Sequence, residues 1–483
     1  MKSTPIAIAI ALAALLLSAC AGYPSKPAAP HLSAVAPVAD LGSSGGLWPT
    51  AAWWRSYRDP TLDRLIETAL ASSPSLAAAH ARFDSARQSV LLVGAATGAH
   101  VGLAATAERQ RLSDNGLFPP SLLGFHWYNQ ADLGLQASYT FDWWGKQRDA
   151  VTAAVDEAHA AAAERSSAAL ALASSIAGTY FGWQADQGRL ALARERLSVA
   201  LREQSIASAR ARAGLDPAET VHRGELEVAA AREAIAGLEG SAKLRVVSLA
   251  ALVGEPPAAL PPIKPAPLPR IESALPSDVG IDLIAHRADI TASRWRVEAA
   301  ESRSASARAE FLPDISVNAL AGLSSIDFGK LLQYGSRVPQ VSVAVHLPIF
   351  DAGQLRARYG ATRAELRAAV AVYDQTVIEA ARDVATQAAT LAQLAAEKGE
   401  RERELRAQRL LEHSAAARVR QGVSDPRVEL AARMSVLEQR DALVQFDAAE
   451  VAADVALRRA LGGGYSDPPH VVKLDSTVKK PTP

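Results

Sequence analysis

From Val341 to Leu347 an apolar residue stands at every second place, Val341-Ser342-Val343-Ala344-Val345-His346-Leu347. Strict alternation predicts a strand with two unlike faces. The chain turns at Pro348-Ile349-Phe350-Asp351-Ala352-Gly353 and then runs without proline to Pro426. That run is rich in Ala, Leu, Arg and Glu, which predicts a single helix over 354–421. About 68 residues of helix span roughly 100 Å at helical rise. The same unit occurs earlier: Leu133 to Phe141 alternates, Asp142-Trp143-Trp144-Gly145-Lys146 turns, and no proline follows until Pro217. The two copies align at an offset of about 208 positions, with Phe141-Asp142 over Phe350-Asp351 and Arg212-Ala213-Gly214-Leu215 over Arg420-Gln421-Gly422-Val423. The chain therefore reads as a tandem duplication of strands, long helix, tight tip and returning helix.

Each copy carries a further alternating segment. Val101, Leu103, Ala105 and Ala107 alternate with Gly102, Ala104, Thr106 and Glu108. Ile315, Val317, Ala319, Ala321 and Leu323 alternate with Ser316, Asn318, Leu320, Gly322 and Ser324. Strands are expected at about 99–109, 130–141, 314–324 and 340–350. Trp127 and Tyr128 flank the second strand on one side and Trp143 and Trp144 on the other, as aromatics do at membrane interfaces. One hairpin alone would equally suit a soluble core. Two hairpins in matched repeats point to a transmembrane barrel. Four strands cannot close a barrel, and lipid does not tolerate an open edge, so other copies of the chain must complete it. Three copies would supply twelve strands, an even number within the known range.

At each tip a glycine can stop one helix in the left-handed conformation while Asp-Pro starts the next, in Gly214-Leu215-Asp216-Pro217 and Gly422-Val423-Ser424-Asp425-Pro426. Long helices are expected at about 146–213 and 354–421, and return helices at about 217–253 and 426–461. The resulting layout is a first repeat over 59–256, a proline-rich linker over 257–277, a second repeat over 278–462 and a mobile tail over 463–483.

The N-terminus settles the compartment. Lys2 precedes an apolar run over 6–17, too short to span a membrane and suited to a signal peptide over 1–19. Leu17-Ser18-Ala19-Cys20 resembles a bacterial lipobox, and Cys20 is the one cysteine, so no disulfide framework exists. Cys20 is the expected lipidation site, bearing diacylglycerol and an amide-linked acyl chain such as palmitate, with 20–58 as a tether. Composition excludes much else. Lys plus Arg and Asp plus Glu are 51 each among 483 residues, which gives no nucleic-acid footprint. Motifs for zinc hydrolysis, a nucleophile elbow, a P-loop or dinucleotide binding are missing, and no enzymatic activity, cofactor or metal is expected.

Taken together, Leu17 to Cys20, Trp53-Trp54 through Asp59-Pro60, Tyr139 to Lys146 and Leu347 to Gly353 resemble the TolC-like outer-membrane efflux family, in particular its NodT-type lipoprotein members. The resemblance implies a mainly α-helical chain with a small β part, one third of a trimeric 12-stranded barrel continued by a periplasmic helical barrel. It implies a passive exit duct for drugs or small toxic compounds. The implied partners are two further copies, a periplasmic adaptor, an inner-membrane RND-type transporter and outer-membrane lipid. By the same resemblance, Gly214, Leu215, Asp216, Gly422, Val423 and Ser424 are expected to meet the adaptor, and Arg212, Arg418, Arg420, Asp425 and Glu429 to form the periplasmic gate with Asp216 and Glu219. Ala431 stands where relatives often carry aspartate. A type I protein-secretion duct is the alternative within the family, and a periplasmic coiled-coil structural lipoprotein the alternative outside it.

Overall fold

The computed structural model describes residues 23–26, 28–32, 46–116, 119–271 and 283–466. The principal elements in chain order are α1 (Pro60–Ser72), α2 (Pro74–Ala96), β1 (His100–Arg111), β2 (Trp127–Phe141), α3 (Lys146–Arg212), α4 (Glu219–Val253), α5 (Ala288–Ala309), β3 (Asp314–Ser325), β4 (Arg337–His346), α6 (Gln354–Arg420) and α7 (Pro426–Ala460). The two halves repeat one plan of short helix, hairpin, 67-residue helix and 35-residue helix. No helix among the described residues is long and apolar enough to cross a membrane.

The Phe-Asp pair that opens each turn has one physical job in both halves. Asp142 accepts from the backbone N–H groups of Gln147 (3.0 Å) and Arg148 (2.7 Å), and Asp351 from those of Gly353 (3.0 Å) and Leu355 (2.6 Å). Orphan donors at the start of each long helix are thereby satisfied by a negative charge at the positive end of the dipole. The strand-to-helix junction is also tied across the repeats: Lys146 Nζ lies 3.1 Å from Asp314, and Trp144 Nε1 donates to the Pro313 carbonyl at 2.8 Å.

The helices form one layer. Helix α3 lies in its interior, packed on α1, α2 and α4 along one flank and on α5 and α7 along the other, while α6 lies beyond α5 and α7. Shorter helices sharing a flank each cover part of a long one. Ion pairs lace the layer: Arg189–Asp441 (2.8 Å) and Arg440–Glu195 (3.2 Å) join α3 to α7, and Lys398–Glu450 (2.6 Å) joins α6 to α7.

The main core lies midway along the rod, where Trp53 and Trp54 pack with Leu62, Ile66, Ile176, Tyr180, Phe181, Leu249 and Val451. Here the stretch from Trp53 to Pro60 works as a stitch. Asp59 caps α1 through the N–H groups of Thr61 (2.9 Å) and Leu62 (3.2 Å) and accepts from the Tyr180 hydroxyl at 2.6 Å. Tyr57 donates to the buried carboxylate of Asp454, which Arg458 also meets at 2.7 Å. The preceding segment is pinned too: Trp48 stacks on His286, and Arg308 stacks over Tyr23 and donates to the Pro24 carbonyl at 2.8 Å. Gly464 is tightly packed, since a Cβ there would collide with the Thr50 carbonyl carbon.

Candidate functional site

The sheet order is β1-β2-β3-β4, antiparallel throughout. Residues paired across antiparallel strands share a face, so the register decides whether the alternation survives assembly. It does. Leu103 pairs with Leu135, Leu135 with Ala321; Tyr139 pairs with Val317, Val317 with Val343; Phe141 pairs with Ile315, Ile315 with Val345. The other face aligns Thr106, Asp132 and Ser324, and Ser138, Asn318 and Ser342. One wall of this sheet is therefore hydrocarbon over most of its height and the other predominantly polar. The hydrocarbon wall is bare: Val101, Leu103, Leu135, Val341, Val343 and Val345 are all exposed. Strands β1 and β4 each leave one edge with no partner among the described residues.

The flanking aromatics divide between the faces. Trp127 pairs with Arg111 on the hydrocarbon side and is exposed. Tyr128, one position on, falls on the polar side, where its hydroxyl donates to Gln110 at 2.7 Å. A period of two forbids both from facing lipid from within the strand. Trp143 and Trp144 lie beyond the strand end, both exposed.

The two tips share one geometry. The N–H of Leu215 bonds the Arg210 carbonyl (2.9 Å) and that of Gly214 the Ala211 carbonyl (3.0 Å). In the second tip Val423 bonds Arg418 (3.1 Å) and Gly422 bonds Val419 (3.0 Å). This is the Schellman pattern, and it requires the positive φ of Gly214 (69°) and Gly422 (71°). Leu215 and Val423 are left exposed at the apices, with Ser424 following.

Charge then breaks the symmetry. Arg210 makes two bonds to Asp216, at 2.9 and 3.1 Å. The equivalent pair in the second tip is Arg418 and Ser424, which has no acid. Instead Arg427 binds Asp425 at 2.9 Å beside it and reaches across to Asp216 at 2.9 Å, and Arg210 stands 3.8 Å from Asp425. Two arginines and two aspartates thus clamp the tips of one chain together. Hydrogen bonds from Arg210 hold the Asp216 carboxyl below its ordinary pKa, and those from Arg427 do the same for Asp425, which also caps α7. Of the arginines expected at the gate, Arg212 and Arg420 fold back onto their own helices, on the carbonyls of Ser208 and Ala416. Arg418 and Glu429 stand outside the cluster. Arg210 and Arg427 were not among the expected residues. The usable signals were the six-residue step from Arg210 to Asp216 across the turn and the position of Arg427 two residues after a cap. Cys20 and the signal segment lie outside the described residues.

Set against known proteins, the chain matches a family model described as outer membrane efflux protein over residues 65–255 and 281–463. It is 33% identical to the multidrug resistance outer membrane protein MdtP of Escherichia coli O157:H7, over 95% of this chain and 96% of that protein. It is 30% identical to the multidrug resistance outer membrane protein MdtQ of the same organism, over 93% and 96%. Among solved structures it resembles the outer membrane protein VceC of Vibrio cholerae, with a TM-score of 0.79 and 32% identity over 86% of this chain and all of that one.

Proposed function

Because the chain belongs to the outer membrane efflux protein family, we propose that three copies close into one passive duct, with a twelve-stranded barrel in the outer membrane and a helical tunnel hanging into the periplasm. The observation that carries this is the pairing of a bare hydrocarbon wall with two free edges. A sheet with that wall is stable only in lipid, and in lipid its edges must be paired. The helical layer asks for the same closure, because Val372, Ile378, Leu410 and Leu411 on α6 and Leu91, Leu92, Leu226 and Leu244 on α2 and α4 are exposed along its two borders. A head-to-tail contact repeated around an axis pairs both borders at once.

The duct performs no chemistry of its own. Energy comes from an RND-type transporter in the inner membrane, and a periplasmic adaptor docks on Gly214, Leu215, Asp216, Gly422, Val423 and Ser424. The Arg210–Asp216–Arg427–Asp425 clamp holds the tips in one arrangement, and the adaptor opens the tunnel only by binding the other arrangement better. Anchorage through lipid on Cys20 is supported by the start of the described chain. Tyr23 is stacked under Arg308, next to the foot of the sheet, and three residues reach at most about 11 Å. Gene deletion tests the reading: susceptibility to drugs should rise, and the purified protein should conduct in planar bilayers. Unchanged susceptibility with no conductance would refute it. Lost secretion of a protein, with drug tolerance intact, would favour the type I secretion duct.

A further inference from the structure

The hydrocarbon wall of the sheet is not uniform along its height. Its positions are the odd-numbered residues of all four strands, which the register places on one face. Toward the helices they end in Val101, Tyr139, Phe141, Ile315 and Val345, with no charge. At the far end, away from the helices, the same wall ends in Arg109 and Arg111 on β1 and Arg337 on β4. These three are the only charged residues on that face of the strands, and no carboxylate shares it. An arginine facing hydrocarbon is costly at the bilayer midplane and nearly free near the interface, so placement at the rim is tolerated there. Tolerance does not explain why all three are basic, nor why they are confined to one rim.

Their strands supply the reason. β1 and β4 are the two edge strands. When copies close into a ring, the β4 of one copy lies about 4.8 Å from the β1 of the next. Arg337 of one copy and Arg109 and Arg111 of the next then flank the same seam toward the same rim, three guanidinium groups on the lipid-facing side. All three are exposed. Two are held over aromatic rings, Arg109 over Trp127 (5.5 Å) and Arg337 over Tyr334 (4.2 Å). The third, Arg111, meets Asp114 of the adjoining loop at 3.2 Å, so that carboxylate offsets one of the three charges. Stacked guanidinium groups are oriented without being neutralised, and their forked donors match phosphate oxygens.

We propose that each seam between copies binds the phosphate headgroup of a phosphorylated glycolipid in the outer leaflet. The barrel is thereby seated at a fixed height, its joints sealed where two chains meet. This rests on the closed-ring reading above, and the test separates the two. Native mass spectrometry of the detergent-solubilised assembly, titrated with diphosphoryl lipid A and with its dephosphorylated form, should show the phosphorylated lipid held at least tenfold more tightly, at up to three per trimer. The triple variant R109Q/R111Q/R337Q should lose that preference, and R109K/R111K/R337K should keep part of it. Conductance in phosphatidylcholine bilayers is recorded in parallel. A native protein that conducts but shows no preference for the phosphorylated lipid overturns the lipid site alone, as does a glutamine variant that retains the preference. A native protein that neither conducts nor forms trimers overturns the ring and the site with it.

Discussion

The two 67-residue helices come from equivalent stretches of the duplication and meet opposite surroundings. Helix α3 buries 23 residues along both flanks, polar ones such as Asp156, Gln184 and Asp186 included, whereas α6 buries 8, in a single stripe from Leu366 to Ala415. Equal length and equal caps do not make them equal, because stability of a helix this long comes from the faces it buries. The first repeat supplies the inner rod of the chain. The second supplies a border, whose bare face is the one the proposed closure between copies would cover.

The largest effect expected of this contrast is in the core. Ile176→Ala in α3 should cost about 2–5 kcal/mol, seen as a lowered melting temperature in detergent. Ile378→Ala, on the bare face of α6, should leave the protomer within about 0.5 kcal/mol of native yet lower the temperature at which trimers dissociate in SDS. Equal losses at both sites would erase the distinction.

The next effect is at the tips, where the halves differ by one acid. Asp216→Asn removes the group that Arg210 and Arg427 share and leaves two cations facing each other. It should raise conductance and admit large antibiotics more than Asp425→Asn does, because Arg427 then still holds Asp216 and asparagine still caps α7. Ser424→Ala, at the position equivalent to Asp216, should change neither. Any other ranking in bilayer recordings would show that the clamp does not govern opening.

Acidity should move two regions in opposite directions. Asp216 and Asp425 are depressed in the folded chain, so the stability they supply is complete above the unfolded carboxylate pKa of about 3.9 and lost as pH falls through their folded values. The tips should therefore loosen only below about pH 4. Asp156, between α3 and α5, is pushed up to about 6 by burial, with the nearby Glu298 adding to it. The fold there binds more protons than the unfolded chain between about pH 4 and 6, so that joint should tighten as pH falls from 7 to 5. Hydrogen exchange at pH 7 and 5 should show this around Asp156, and Asp156→Asn should abolish it.

The smallest effect belongs to the polar wall of the sheet, which would line the proposed barrel's lumen and where Glu108 and Asp132 have no basic residue opposite them on the paired strands. Glu108→Gln with Asp132→Asn should reduce cation selectivity in reversal-potential measurements and leave assembly intact.

Much of this architecture is legible in the order of residues. Alternation names the strands and their faces, absence of proline marks the long helices, and Gly followed by Asp-Pro places the tips, since each depends on neighbours within a few positions. The clamp is not legible in that way. Arg427 and Asp216 are 211 positions apart, and only the side-by-side packing of two tips brings them together. The tether is similar. Its composition, rich in Pro, Ala, Ser and Gly, reads as an extended tether, yet described residues in it are held by Arg308 and His286, which belong to the other half. The Trp53–Pro60 stretch reads as aromatic packing under a helix start, but its partners Tyr180 and Asp454 lie far along the chain and only the fold brings them onto it.

If one chain is a sector of a closed ring, its two edge strands must meet those of other copies. Placing cysteines on both edge strands, Leu103→Cys in β1 and Val343→Cys in β4, and treating membranes with a flexible bis-maleimide tests it most directly, with the single native Cys20 as the control background. A closed ring of three gives a ladder of one, two and three linked chains that stops at three. Links confined within one chain, or a ladder that continues past three, would contradict it.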